Sequence, residues 1–164
     1  MSKKTIGAAI VAATVLATPA FAAEWKPYGD HSSEAPRAVY AQEGEGIATL
    51  LSCNAEGKLS AIVSIKDGDF VRKMQANAPY RRSVDVSMNR DGVDEGESVW
   101  TLIAAVDTIH TKSHTEAAKI YNAAILGQSV QLDVQRKGSV TLDLPSVDDI
   151  FTAFATTCFS EDAE

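Results

Sequence analysis

Alternation of apolar and polar residues is the feature that most limits how this chain can fold. It is clearest in residues 83–89, where Val84, Val86 and Met88 alternate with Ser, Asp, Ser and Asn. A period of two is typical of a strand with one buried and one solvated face. Shorter stretches repeat the pattern at 47–53, 59–65, 130–134 and 140–144. The sequence therefore predicts a mainly antiparallel β protein.

The segments between these strands contain turn-forming residues. Residues 54–57 and 136–138 predict two tight hairpins, and residues 29–37 a polar loop after a short first strand with Trp25 and Tyr28. We expect a second polar loop at residues 90–97. The stretch that follows, residues 98–106, alternates less, and this predicts a strand covered on both faces.

Two helices are indicated by capping boxes, in which a Ser is followed three residues later by an acidic residue. Ser113 with Glu116 predicts a helix that continues to about Leu126 and ends at Gly127. Ser146 with Asp149 predicts a second helix, with an apolar face that carries Val147, Ile150, Phe151, Phe154 and Cys158 at spacings of three and four.

The chain contains two cysteines, Cys53 and Cys158. Cys53 lies on the apolar face of an early strand and Cys158 on the apolar face of the last helix, so both are expected to face one core. This favours an intramolecular disulfide, with two free thiols or an intermolecular bridge as alternatives. The predicted fold class is α+β: a sandwich-like, mainly antiparallel sheet with two short helices, the C-terminal helix disulfide-linked to an early strand.

The first 22 residues have the organisation of a secretory signal peptide. Lys3 and Lys4 precede the apolar stretch 6–18, and residues 20–22 form an A-x-A pattern. We expect cleavage before Ala23, a single globular domain over residues 23–164 and a periplasmic or secreted location. The alternative, a retained anchor, needs about 20 apolar residues.

Cleavage leaves 13 basic and 22 acidic residues, a formal charge of −9. Binding to nucleic acid depends on Lys and Arg that neutralise phosphates, so this charge argues against a nucleic-acid partner. It argues equally against docking on an anionic membrane, and no segment after residue 22 is apolar enough for membrane insertion.

Residues that could carry chemistry are few. The three histidines are His31, His110 and His114, and His110 with His114 forms an H-x-x-x-H pair to which Asp107 could add a third metal ligand. The predicted helix start at Ser113 separates the pair, so surface histidines are the favoured interpretation. We expect no catalytic residue, metal or cofactor.

Charged and glycine-rich segments offer weaker alternatives. Residues 67–69 and 91–97 are acidic but lack the spacing of a calcium loop, and Asp-Gly favours turns. Arg81 and Arg82 beside Tyr80 could bind an anion or an acidic partner, or protect the start of a strand. Residues 43–46 lack the lysine of a phosphate loop and are predicted to form a turn.

The order of these landmarks resembles a known family. Trp25 is followed by LLSCNAEGKLSAIVSI, VDVSMNRDG, SVW, a short helix and the closing GQSVQLDVQRKGSVTLDLPSVDDIFTAFATTC. This order is similar to that of small exported proteins of the invasion-associated locus B type and of related periplasmic accessory proteins found with type VI secretion. The resemblance implies a non-enzymatic accessory or envelope protein.

Two functional hypotheses follow. The first is a non-catalytic binding module that acts on another envelope or secreted protein, for which we expect an exposed apolar patch on a sheet face or edge, with strand addition at an edge as one mode of binding. The second is a small hydrolase or metal-dependent enzyme that uses His110 or His114 with Asp107.

Overall fold

The structure, a computed structural model, describes residues 23–29, 34–42, 44, 46–76 and 80–159. The predicted signal peptide and His31 lie outside these residues. The described part contains nine strands: β1 Trp25–Pro27, β2 Ala38–Ala41, β3 Thr49–Cys53, β4 Leu59–Ser64, β5 Arg82–Arg90, β6 Val93–Ile103, β7 Thr108–Thr111, β8 Val130–Val134 and β9 Gly138–Leu142. It also contains three α-helices: α1 Phe70–Gln75, α2 His114–Leu126 and α3 Asp149–Phe159.

The strands form one antiparallel sheet in the order β1-β2-β3-β4-β7-β6-β5-β8-β9. Each predicted hairpin is present, with β3 paired to β4 and β8 to β9. The β5–β6 hairpin lies between β7 and β8, two consecutive strands that α2 separates in the sequence. The predicted fold class, a mainly antiparallel sheet with the C-terminal helix bonded to an early strand, is confirmed.

One face of the sheet forms the core. Every strand contributes alternate residues to a single cluster, which α2 and α3 cover and in which Trp100 is the largest fully buried side chain. The predicted inward residues Val84, Val86 and Met88 are buried there. The opposite face, called here the outer face, carries a small second cluster in which Phe70 of α1 packs with Leu50. The rest of the outer face is mainly polar, and its side chains are half-buried or exposed.

The first predicted helix is confirmed at both ends. Ser113 is the N-cap of α2, and its Oγ accepts a hydrogen bond from the Glu116 N–H at 3.4 Å. Gly127 ends the helix in the left-handed conformation, with φ of 63°. The Glu116 carboxylate binds Lys119 Nζ at 3.0 Å, so only the serine half of the capping box has its expected partner.

The predicted N-cap of the last helix, Ser146, is wrong by two residues. α3 begins at Asp149, and Asp148 Oδ1 accepts the Phe151 N–H at 2.8 Å, as an N-cap residue does. Asp148 Oδ2 accepts the Trp25 N–H at 3.0 Å, so one carboxylate serves both α3 and β1. Ser146 and Val147 precede the helix, and Val147 is 45 % exposed. The residue that caps α3 therefore also attaches the start of this helix to β1.

Two further predictions need correction. The expected loop over residues 90–97 is a tight turn at Asp91 and Gly92, after which β6 begins at Val93. The strand that follows is not covered on both faces, because Val99 on its outer face is 66 % exposed. α2 and α3 pack on the core face, and α1 contacts the outer face at Leu50 of β3, away from this strand.

α1 was not predicted from the sequence. Its N-cap is Asp69, whose Oδ1 accepts the Arg72 N–H at 3.1 Å. The acidic segment 67–69, for which the sequence predicted a turn, therefore leads into a short helix that Asp69 caps.

The predicted disulfide is present. Cys53 Sγ on β3 and Cys158 Sγ on α3 are 2.01 Å apart, with a Cα–Cα distance of 5.9 Å. None of the helices described is both long enough and apolar enough to cross a membrane.

Candidate functional site

The two described histidines occupy different environments. His110 is on β7, opposite Ile62 of β4 and Thr101 of β6, and its half-buried side chain belongs to the outer face. His114 is the first residue of α2, and its Nδ1 accepts a hydrogen bond from the Leu59 N–H at 3.0 Å. The two residues therefore lie on a strand and a helix start, as predicted, and His114 joins α2 to β4.

The structure gives no support to a metal site at these histidines. Asp107, the suggested third ligand, lies before β7, where its Oδ1 is 3.6 Å from Lys137 Nζ. Among the described residues, no three His, Cys, Asp or Glu side chains are grouped so that they could hold a metal ion.

A cleft of about 340 Å³ lies on the outer face, across β3, β4 and β7. The residues that line it are Ser52, Cys53, Asn54, Lys58, Leu59, Ser60, His110 and Lys112. Ser52 and Ser60 are cross-strand partners, and their Oγ atoms are 2.8 Å apart. Strand pairing thus brings together polar residues from three separate segments of the chain.

The cleft is positively charged. Lys58 and Lys112 line it, and none of its lining residues is acidic. Glu56, on the turn before β4, forms an exposed ion pair with Lys58 at 2.8 Å. This pair lowers the pKa of Glu56 and raises that of Lys58.

The environment of the cleft changes the pKa of His110. Its pKa is lowered from the ordinary value of 6.5, first by burial and then by the positive charges of Lys112 and Arg81. The neutral imidazole is therefore favoured, with one ring nitrogen as a donor and the other as an acceptor.

This arrangement is a poor match for a hydrolase. A catalytic serine needs a hydrogen-bonded base, and the base needs an orienting group. The hydroxyls of Ser52 and Ser60 bond to each other, no hydrogen bond joins His110 to either within the described residues, and the cleft supplies no carboxylate. The chemistry that the cleft can offer is donation of hydrogen bonds and positive charge.

Other charged residues singled out in the sequence serve local structure. Asp94 Oδ1 accepts the Gly96 N–H at 2.8 Å, and Glu95 binds Arg90 Nε at 2.8 Å. These acidic side chains therefore shape the β5–β6 hairpin rather than surround a cation. Arg81 and Arg82 are exposed at the start of β5, where Arg82 is its first residue.

The edge strand β9 is a second candidate surface. Gln135 N–H bonds to Asp85 O, so odd-numbered residues of β8 direct their main chain towards β5 and even-numbered residues towards β9. Since Leu132 pairs with Val140, the N–H and C=O groups of Ser139 and Thr141 point away from β8. No hydrogen bond from the described part of the chain reaches these outward groups.

The opposite edge of the sheet is protected. β1 has three residues and ends in Pro27, which lacks a donor, and α3 packs against it. β9 has neither a charged residue nor a proline.

Comparison of the chain with protein-family models, curated proteins and solved structures found no match. The interpretation of the two surfaces therefore rests on their own geometry. Sequence reasoning found His110 but missed Ser52, Ser60 and Lys112 as its neighbours. Alternation placed the two serines on outer faces, but the sequence contains no signal that β4 pairs with β7.

Proposed function

We propose that this chain is a non-catalytic, exported accessory module that binds another envelope or secreted protein through β9. The observation that carries the proposal is the free edge formed by Ser139 and Thr141. An extended segment of a partner can add to such an edge as a further strand, with main-chain hydrogen bonds as the source of affinity.

The difference between the two edges supports this function. Proteins protect edge strands with proline, charge or covering elements, because an unprotected edge pairs with other chains. β1 has this protection, whereas β9 presents a neutral five-residue strand. A free edge retained on one side alone is the arrangement expected of a strand that has a partner.

The disulfide supports export. Disulfides form and persist in oxidising compartments, and Cys53–Cys158 closes most of the described chain into one covalent loop. The signal-peptide pattern of residues 1–22 and the resemblance to exported accessory proteins point the same way.

The proposal is tested by a crosslinking pull-down, with residues 23–164 as bait against a cell-envelope extract from the same organism. Thr141→Pro removes one outward N–H and leaves the hydrogen bonds to β8 in place. Thr141→Val keeps the N–H and is the matched control. We expect one dominant partner with the native bait and with Thr141→Val, and its loss with Thr141→Pro.

Two results would count against the proposal. One is a partner that is retained equally by Thr141→Pro when circular dichroism shows that this variant is folded. The other is the absence of any protein above the level captured by bait with its disulfide reduced and blocked.

A further inference from the structure

Hydrogen-bond donors outnumber acceptors in the outer-face cleft. In the Ser52–Ser60 pair one hydroxyl donates to the other, so the proton of the accepting hydroxyl remains available to a ligand. Asn54 Oδ1 accepts the N–H groups of Glu56 at 3.0 Å and Lys58 at 2.9 Å. With its oxygen occupied in this way, the amide of Asn54 offers its two N–H donors.

Positive charge is concentrated at the same place. Besides Lys58 and Lys112, Arg37 lies beside the cleft, where its Nη1 donates to Asn54 O at 3.1 Å. Lys112 forms no ion pair within the described residues, and it is exposed. Lys58 is paired with Glu56, whereas Lys112 supplies a positive charge, unpaired in the described part of the structure, in a chain with a net charge of −7.

Strand register places the hydrogen-bond donors of the cleft side by side. Ala61 pairs with Thr111, so the adjacent Ser60 and Lys112 are opposite each other across β4 and β7. His110 is two residues from Lys112 on the same face, and its neutral ring adds a further N–H donor. Hydroxyl, imidazole and ammonium donors are thus presented from one side of the sheet.

We propose that this cleft is a binding site for an oxyanion: a carboxylate, phosphate or sulfate group held by Lys112, His110 and the Ser52–Ser60 pair. Charge-assisted hydrogen bonds to such groups are about twice as strong as neutral ones. The cleft is also large enough for a small molecule or a side chain that carries the group, since ligand pockets begin at about 300 Å³. The site does not depend on the edge of β9.

Binding of an anion in the cleft and protonation of His110 are thermodynamically linked. Burial, Lys112 just after β7 and Arg81 from the segment before β5 lower the pKa of this imidazole, whereas its cross-strand neighbours Ile62 and Thr101 are uncharged. An anion beside Lys112 offsets that positive charge and raises the pKa of His110. By the same linkage, the anion binds more tightly as His110 becomes protonated.

The test is an NMR titration of the 23–164 protein with sodium phosphate, sulfate and acetate, each at constant ionic strength set with chloride. We expect saturable shifts of the Ser52, Ser60, His110 and Lys112 signals and a rise in the pKa of His110. Saturation by acetate alone identifies a carboxylate site, and saturation by phosphate or sulfate identifies a site for tetrahedral anions.

Two lysine variants separate a site from general charge. Lys112→Met should weaken binding about tenfold, the effect of losing one charge-assisted hydrogen bond. Lys66→Met removes an exposed lysine beyond the other end of β4 and should leave the affinity unchanged. Equal weakening by both variants, or shifts spread over the exposed lysines without saturation, would overturn the proposal. Neither result bears on binding at β9, which the Thr141 variants test separately.

Discussion

Gly57 lies against the carbonyl oxygen of Cys158: a Cβ atom at position 57 would be 2.6 Å from that oxygen. The β3–β4 turn and the end of α3 are therefore in direct contact, beside the disulfide from Cys53 to Cys158. Gly57 also has a φ of 73°, a conformation that residues with a Cβ rarely adopt. Two independent constraints require glycine at this position.

Gly57→Ala should lower the free energy of unfolding more than the same substitution at a glycine that has a positive φ but no close neighbour. Gly127→Ala is the matched control, because Gly127 has a φ of 63° and a Cβ atom added there would have no neighbour within 4 Å. We expect the control to lose about 1–2 kcal/mol of unfolding free energy, and Gly57→Ala to lose about 1–3 kcal/mol more because of the contact. Urea unfolding of the oxidised proteins measures both, and equal losses would contradict the contact.

Removal of the disulfide should lower the free energy of unfolding more than Gly57→Ala does. Cys53 and Cys158 are separated by 105 residues, and closing a loop of this size contributes about 4–5 kcal/mol in the chain-entropy treatment, less any strain. The double variant Cys53→Ala/Cys158→Ala should therefore unfold at a much lower urea concentration than the oxidised protein. Its midpoint should not respond to reductant. If reductant breaks the disulfide of the native protein and its urea midpoint does not change, the bridge has little effect on stability.

Asp148 should contribute more than Ser146 to the stability of α3, although the capping box in the sequence predicts Ser146 as the N-cap. Asp148→Ala removes the acceptor of both the Phe151 and the Trp25 N–H groups, whereas Ser146 is exposed and precedes the helix. We expect a loss of about 1–2 kcal/mol for Asp148→Ala and almost none for Ser146→Ala. Thermal unfolding of the two variants measures the difference, and a larger loss for Ser146→Ala would restore the sequence-based assignment.

The error at Ser146 shows which part of the fold can be predicted from local pattern. Alternation at 84, 86 and 88 identified a core face, and Ser113 with Gly127 located both ends of α2, because these signals involve neighbours in the chain. The N-cap residue of α3, in contrast, also bonds to β1, more than 120 residues away, a contact that local pattern does not contain.

The candidate site could not be predicted for the same reason. Ser52, Ser60 and His110 come together only because β3 pairs with β4 and β4 with β7. Period-two alternation predicts on which face of a strand a residue lies, but it does not predict which other strand pairs with that strand. Sequence reasoning therefore reached His110 by residue type and compared it with His114, its neighbour in sequence, rather than with its neighbours in the sheet.

His110 should make stability depend on pH. Its pKa in the folded protein is below 6.5, so as the pH falls below 6.5 the unfolded chain takes up a proton that the folded protein does not. The contribution of His110 to stability is thus present above pH 6.5 and is lost as the pH falls towards the folded-state pKa. The unfolding free energy of the native protein should decrease between pH 7.5 and 5.5 relative to that of His110→Gln. Lys112→Met should raise the pKa of His110, since it removes one of the two charges that lower it. NMR titration of the imidazole checks both statements, and a pKa at or above 6.5 in the native protein would contradict them.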